Sequence, residues 1–362
     1  MGDVVLMKGN EAVAEAAIRA GCRYFFGYPI TPQSELPEYM ARRLPQVGGV
    51  FLQAESEVAA INMVYGAAGA GARVMTSSSS PGISLKQEGI SYIAGADLPC
   101  LIVNMVRGGP GLGGIQPAQS DYFQAVKGGG HGDYRLIVFA PASIQEMVDL
   151  VMNAFDTAEK YRVPVMILGD GLLGQMMEPV VFKEDADGGA PVKPWATTGA
   201  AGRKQNLISS FEIDPEKLCA QSVERAKRYS EIKARETRYE VVNEGDSEVF
   251  LVAYGITSRV CRTVMDKARA QGLKVGLVRP VTVWPFPDEA FERVMGTAKA
   301  FLTVEMSMGQ MVEDVRLAVN GRRPVHFYGK TGGVVPRPKD ILDKLIEVAD
   351  SVGMAGLQEG GR

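Results

Sequence analysis

A chain of 362 residues that is 46% hydrophobic has enough apolar side chain to fill more than one core. Its formal net charge of -3 offers no electropositive footprint for nucleic acid or an anionic membrane surface. Four scattered cysteines (Cys22, Cys100, Cys219, Cys261) form no C-x-x-C pair, which argues against an iron–sulfur cluster or structural zinc held by this chain. His131 and His326 are the only histidines, which argues against a His-based metal site or a Ser-His-Asp triad as the centre of the chemistry. No basic stretch followed by an apolar segment opens the sequence, and no apolar run approaches about 18 residues, so the expectation is a soluble, cytoplasmic protein without a membrane span.

Residues 4–7, 24–26, 50–53, 74–77, 100–105, 136–139 and 165–168 read as short apolar strands. Helical periodicity fills the intervals at 11–20, 33–44, 57–70, 83–94 and 143–160. Near-continuous apolar strands alternating with helices predict a doubly wound, mostly parallel α/β sheet. From about Gly174 the alternation lapses. Residues 184–202 carry Gly, Ala, Pro and Asp without period, and 215–239 read as a charged connecting helix whose acids and bases balance. At Ser247 the alternation resumes, with strands at 248–253, 274–277, 300–305 and 325–328 and helices at 258–271, 287–295, 310–319 and 338–348. The expected organisation is α/β throughout: two doubly wound parallel-sheet domains at 1–180 and 245–350. Residues 181–244 form the excursion and connecting helix between them, and 351–362 a polar tail.

Ligands of open α/β sheets sit beyond the carboxyl ends of the strands, which directs attention to four junctions. Phe26-Gly27-Tyr28-Pro29-Ile30-Thr31-Pro32 is stiffened by two prolines around a hydroxyl, and reads equally as an ordinary helix cap. Gln53-Ala54-Glu55-Ser56-Glu57 delivers two carboxylates to a helix start, where acids also serve as dipole-complementing caps worth about 0.5–2 kcal/mol. Thr76-Ser77-Ser78-Ser79-Ser80-Pro81-Gly82 runs hydroxyls into a helix, suited to an anion or to capping. Arg107 leaves a buried strand into Gly108-Gly109-Pro110-Gly111-Leu112-Gly113-Gly114, where it can read a carboxylate bidentately or form a surface ion pair.

Two further segments are decoys. Gly66-Ala67-Ala68-Gly69-Ala70-Gly71 has its glycines late in a helix and in the wrong order for a dinucleotide fingerprint, so close helix packing is expected there. Gly169-Asp170-Gly171 has the form of the start of a magnesium–diphosphate motif, yet no Asn follows at the required distance; the first is Asn206.

Taken together, the four junctions resemble the α-type subunit of 2-oxoacid:ferredoxin oxidoreductases. The likeness rests on Gly27-Tyr28-Pro29-Ile30-Thr31-Pro32, Glu55-Ser56-Glu57-Val58-Ala59-Ala60, Ser80-Pro81-Gly82-Ile83-Ser84 and Arg107-Gly108-Gly109-Pro110. It continues in Ala253-Tyr254-Gly255, Arg279-Pro280 and Val304-Glu305-Met306-Ser307-Met308-Gly309-Gln310, and so spans nearly the whole chain. Gly128-Gly129-Gly130-His131-Gly132-Asp133-Tyr134-Arg135 and Gly174-Gln175-Met176-Met177-Glu178-Pro179 bring it nearest to the branched-chain (3-methyl-2-oxobutanoate) type.

The resemblance implies a thiamine diphosphate pyrimidine-binding fold followed by a transketolase C-terminal-like fold. It implies oxidative decarboxylation of a 2-oxoacid to its acyl-CoA, with coenzyme A as cosubstrate and ferredoxin as electron acceptor. Glu57 then matches the glutamate at N1′ of the cofactor's aminopyrimidine, flanked by Tyr28 and Pro29 as cofactor-binding residues. Thr31 and Arg107 match contacts to the 2-oxoacid, and Glu55 is left as a cap or as a group supporting the site from behind. A carboxyl at N1′ has to share a proton; burial favours that and the helix dipole opposes it. Mg²⁺ and [4Fe–4S] clusters fall to partner chains: a β-type subunit holding the diphosphate, a γ-type subunit and a ferredoxin-like δ-type subunit. A pyruvate- or 2-oxoglutarate-specific member, a non-oxidative thiamine enzyme component and a non-catalytic scaffold are the alternatives.

Overall fold

The computed structural model describes residues 4–182 and 192–354. Along the chain run β1 (Val4–Lys8), α1 (Gly9–Arg19), β2 (Tyr24–Gly27), α2 (Glu35–Arg43), β3 (Val50–Gln53), α3 (Glu57–Gly69), β4 (Val74–Ser78), α4 (Ser80–Gly95) and β5 (Leu101–Val106). There follow α5 (Tyr122–Lys127), β6 (Ile137–Phe139), α6 (Ile144–Tyr161), β7 (Val165–Asp170), α7 (Gly171–Gln175) and β8 (Met177–Val181). Residues 192–214 hold no helix or strand; the remaining positions of the expected excursion, 183–191, lie outside the described residues, as do tail residues 355–362. The second half comprises α8 (Pro215–Glu236), β9 (Tyr239–Val242), β10 (Val249–Val252), α9 (Gly255–Ala270), β11 (Val275–Pro280), β12 (Thr282–Trp284) and α10 (Asp288–Val294). It ends with β13 (Ala300–Glu305), α11 (Met311–Val319), β14 (Val325–Gly329) and α12 (Pro338–Ser351).

Seven strands form the first sheet in the order β12-β6-β7-β5-β4-β2-β3, parallel from β6 to β3. Its inner strands β4, β5 and β7 are buried at every residue, which is why they read as unbroken apolar runs. The second sheet has the order β14-β13-β10-β11-β9, parallel except for β9. The alternation of short strands and helices therefore produces two α/β sheets, as the sequence predicts.

Four placements differ from expectation. The strand at 4–7 does not enter the main sheet; β1 pairs antiparallel with β8, a strand the sequence reading leaves out. The reason is solvent: Val4, Val5 and Leu6 stay exposed, so this segment lacks the two-sided burial of a central parallel strand. Tyr239–Val242, expected within the connector, is instead the antiparallel edge of the second sheet. Thr282–Trp284 crosses back to pair with β6 of the first sheet. Pro280 has no amide to extend the β11 ladder, and the β-branched and aromatic run beyond it finds a new edge. The two sheets consequently share one apolar core, in which Phe139 and Trp284 lie with Phe250, Phe291 and Phe301.

The connecting helix α8 is mostly exposed, with only Arg225, Ile232 and Glu236 buried. Arg225 donates to Asp97 Oδ1 at 3.2 Å and to the Gly95 carbonyl at 2.6 Å, fixing the helix to the end of α4. Arg279 ties the halves together by donating to Glu146 at 2.9 and 2.7 Å and to Glu240 at 2.9 Å.

Candidate active site at the ends of four adjacent strands

β3, β2, β4 and β5 are consecutive neighbours and run parallel, so the four junctions emerge side by side from one sheet edge. The β2 and β3 ends are in register at Gly27 and Gln53, and Ala54 N–H donates to the Gly27 carbonyl at 2.9 Å. Tyr28, Pro29 and Thr31 are exposed on the first loop. That loop is held by its carbonyls: Pro32 O accepts from Asn10 Nδ2 and Gln175 Nε2, each at 2.8 Å. The Thr31 hydroxyl makes no hydrogen bond among the described residues.

At the second junction the cap is neither glutamate. Ser56 is the N-cap residue of α3, its Oγ accepting from Ala59 N–H at 3.2 Å. Glu55, expected as the cap, is exposed and leaves that role to the shorter hydroxyl beside it. Glu57 is the first residue of α3 and turns inward, only 7% exposed. Its carboxylate has no hydrogen-bond partner among the described residues. It lies against α4 at Gly82, where a Cβ would come within 2.7 Å of Glu57 Oε1 and 2.0 Å of Ser78 Oγ.

Close approach of α3 and α4 is thus created by glycines on α4, at Gly82 and at Gly89, where a Cβ would fall 2.5 Å from Ile61. The glycines of α3 do not do it. Gly66 faces open space, Gly69 makes only an ordinary contact with Ile208, and Gly71 adopts φ +88° just beyond the helix end.

In the third junction Ser80 N–H donates to Asn104 Oδ1 at 3.1 Å, and Ser77 Oγ donates to Gln33 Oε1 at 2.5 Å. Ser78 Oγ, Ser79 Oγ and Gln33 Nε2 are buried without a partner among the described residues. Asn104 Nδ2 donates to Asp121 at 2.9 Å, whose carboxyl burial pushes above the usual range.

Arg107, at the fourth junction, is 6% exposed and has no acidic partner among the described residues, so the ion-pair reading fails. Nη1 donates to the Thr31 carbonyl at 3.0 Å and Nη2 to the Leu112 carbonyl at 2.8 Å; Nε is buried and unpaired among the described residues. The glycine loop closes on itself through Gly108 N–H to Gln116 O (2.9 Å) and Gly114 N–H to Gly108 O (2.8 Å). Gly332 and Gly333, beyond β14, pack against Gly108 and Gln116, so the second half of the chain supports this loop.

Asp170 sits on neighbouring β7 but caps α7, Oδ1 accepting from Leu172 N–H (2.9 Å) and Leu173 N–H (3.1 Å). Full burial raises its carboxyl to about 6. Among the described residues no His/Cys/Asp/Glu group could hold a metal ion. Tyr254 and Glu305, in the second-half motifs, serve structure. Tyr254 Oη donates to the Gln119 carbonyl at 3.1 Å, and Glu305 accepts from the amides of Gln310, Met311 and Val312 at 2.9–3.1 Å.

One residue of the site went unnoticed in the sequence. Lys86 is wholly buried one turn along α4 from Gly82, with Nζ donating to Thr76 Oγ1 and the Ser77 carbonyl, both at 3.0 Å. A signal existed: Ile83, Ile90 and Ile93 mark the inward stripe of this helix, and position 86 falls within it.

Buried polar groups are nearly always satisfied in folded proteins, so a carboxylate, two hydroxyls, an amide and a guanidinium nitrogen left unpaired near one sheet edge fit a polar ligand. A heteroaromatic ring with donor and acceptor nitrogens, and an anionic substrate, match this donor set.

Residues 15–250 match the family described as pyruvate flavodoxin/ferredoxin oxidoreductase, thiamine diphosphate-binding, and residues 247–341 match pyruvate:ferredoxin oxidoreductase core domain II. The ketoisovalerate oxidoreductase subunit VorB of Methanothermobacter thermautotrophicus is 51% identical over 95% of this chain and 97% of its own length. The 2-oxoglutarate synthase subunit KorA of the same organism is 34% identical over 96% of this chain and 100% of its own. The solved 2-oxoglutarate:ferredoxin oxidoreductase of Magnetococcus marinus superposes with a TM-score of 0.84 at 30% identity, over 96% of this chain and 65% of that one. A split-gene transketolase, 14% identical with a TM-score of 0.59, shares the fold. The chain belongs to the 2-oxoacid:ferredoxin oxidoreductase family, as a subunit with the thiamine diphosphate-binding region and core domain II.

Proposed function

We propose that this chain is the α-type subunit of a cytoplasmic oxidoreductase that converts a branched-chain 2-oxoacid and coenzyme A to acyl-CoA, CO2 and a proton. The two electrons released pass singly to ferredoxin. The observation that carries this reading is the pairing of an inward, unpartnered Glu57 with a buried, counterion-free Arg107 at one sheet edge. Bound thiamine diphosphate supplies the nucleophilic carbon and the electron sink that loss of CO2 requires. Glu57 holds the proton at N1′ of its aminopyrimidine, with Tyr28 and Pro29 beside the ring. Arg107 turns Nε to the substrate carboxylate, and the Thr31 hydroxyl takes the 2-oxo group. The diphosphate, Mg²⁺ and [4Fe–4S] clusters belong to β-type, γ-type and ferredoxin-like δ-type partners, and this chain alone is inactive.

The branched-chain preference has two supports. Identity is 51–52% to two ketoisovalerate oxidoreductase subunits and 34–35% to 2-oxoglutarate synthase subunits. A cleft beside Thr31 is lined by Pro32, Ile115, Pro117 and Leu172 together with Glu35, whose carboxylate pairs with Lys8 at 3.0 Å, and no cation among the described residues lines it directly. A second substrate carboxylate would meet Glu35 there. Assayed by viologen or ferredoxin reduction, the purified complex should turn over 2-oxoisovalerate with a kcat/KM at least about tenfold above pyruvate and 2-oxoglutarate, about 1.4 kcal/mol of discrimination. Equal or better use of 2-oxoglutarate overturns the substrate reading.

Gly113 provides a separate check on the loop. It has φ +60°, and a Cβ there would lie 1.8 Å from the Gly108 carbonyl oxygen. Gly113→Ala should cost about 1–3 kcal/mol of local strain and displace the Leu112 carbonyl that holds Arg107. The 2-oxoacid KM should rise about three- to tenfold while thiamine diphosphate affinity holds; a calorimetric titration beside the steady-state kinetics separates the two.

A further inference from the structure

We propose that Lys86 is a positioning residue for Glu57, its buried ammonium lying one helical turn beyond the Gly82 contact and stabilising the anionic form that Glu57 presents to the ligand. The inference rests on the reading of Glu57 given above.

The geometry has three parts. Gly82 lets the Glu57 carboxylate lie directly on α4, and Lys86 follows four residues later on the same helix face. β4 holds the ammonium from below through the Thr76 hydroxyl and the Ser77 carbonyl, which leaves one of its three donors unused. No carboxylate is within ion-pair distance of Lys86 among the described residues, although a fully buried ammonium is costly without one.

Of the elements packed around it, β4 offers only Thr76 and Ser77, neither ionisable, and α3 offers Glu57, whose charge opposes the loss of the Lys86 proton. Burial dominates and lowers the Lys86 ammonium to about 7. A charged Lys86 and an anionic Glu57 therefore support each other, and removing either weakens the charge on its neighbour. A lysine kept in an apolar interior for packing alone would be better replaced by methionine.

The test uses Lys86→Met, Lys86→Gln, Glu57→Gln and the double variant Lys86→Met/Glu57→Gln. Stability against pH is read first, on the full chain. Because the folded-state value lies below 10.5, Lys86 binds more protons in the unfolded than in the folded chain between about pH 7 and 10.5, and its contribution to stability, read as the difference between wild type and variant, rises with pH through that window. Lys86→Met and Lys86→Gln abolish the rise. Glu57→Gln starts it at lower pH, since the folded ammonium then loses its supporting charge.

Thiamine diphosphate affinity of the assembled complex is read next, by fluorescence titration across pH. Both Lys86 variants should move the acid limb of the affinity profile upward by about one pH unit, a tenfold change in proton affinity. Lys86→Gln can still bond β4, so a shift seen with Met and absent with Gln shows a packing role and overturns the proposal. Additive effects of Lys86→Met and Glu57→Gln in the double variant also overturn it. Wild-type affinity and turnover in Glu57→Gln overturn the reading of Glu57 itself, independently of any Lys86 result.

Discussion

Replacing Glu57 by Gln should lower turnover of the assembled complex by about 10²-fold or more while leaving its thermal unfolding within a few degrees. Gln preserves the volume of the side chain against Gly82 and can still hydrogen-bond. It cannot carry a proton to or from a ring nitrogen. The fold has little reason to suffer, because Ser56 rather than Glu57 caps α3 and the Glu57 carboxylate has no hydrogen-bond partner among the described residues to lose. The substitution removes the anion's interaction with the helix N-terminus, about 0.3–1 kcal/mol, together with its support of the Lys86 ammonium. Activity and stability are thereby separable at this residue. Single-turnover measurement with bound 2-oxoacid locates the defect: the step before CO2 release should slow, whereas reduction of ferredoxin by pre-reduced enzyme should not. Turnover near the wild-type value would remove Glu57 from the chemistry.

Arg107→Ala should raise the 2-oxoacid KM by roughly 10- to 100-fold. Hydrogen bonds to a charged group contribute about 1.5–3 kcal/mol, and each 1.4 kcal/mol is tenfold in affinity. The guanidinium is placed by two carbonyls, Thr31 O and Leu112 O, which hold Nη1 and Nη2 and leave Nε unpaired. Lys at this position keeps the charge but not the fork, so Arg107→Lys should recover only a minor part of the loss. Thiamine diphosphate affinity, measured by titration, should stay within about threefold in both variants. A 2-oxoacid KM unchanged in Arg107→Ala, with lowered thermal stability, would make the residue a clip between the first and fourth loops and nothing more.

The two variants probe different parts of the same edge, and the legibility of that edge in the sequence was uneven. Parallel strands declare themselves, because two-sided burial requires unbroken apolar runs such as Leu101-Ile102-Val103. Loop positions beyond those strands follow from connectivity, and all four junctions emerged at adjacent strands. Short antiparallel additions leave weaker traces. β8, β9 and β12 have 5, 4 and 3 residues, and their partners are 169, 35 and 143 residues away in the registers Lys8↔Met177, Leu277↔Val242 and Thr282↔Phe139. Local pattern carries little information about pairing over such separations. Lys86 was missed for a related reason: a charged residue is read as solvated, although its helical stripe placed it inside.

Local pattern alone was enough to establish the alternating α/β architecture, the four strand-end loops and the residue types available at each. Spatial packing decided which of those residues face the site. Glu55 and Glu57 are two positions apart and chemically alike, but the turn at Ser56 sends one to solvent and the other against α4. Whether Arg107 meets an acid depends on every chain segment around it, and among the described residues none supplies one. Burial and charge pairing are properties of atoms brought together from distant parts of the chain, so they exist only once the sheet edge has formed.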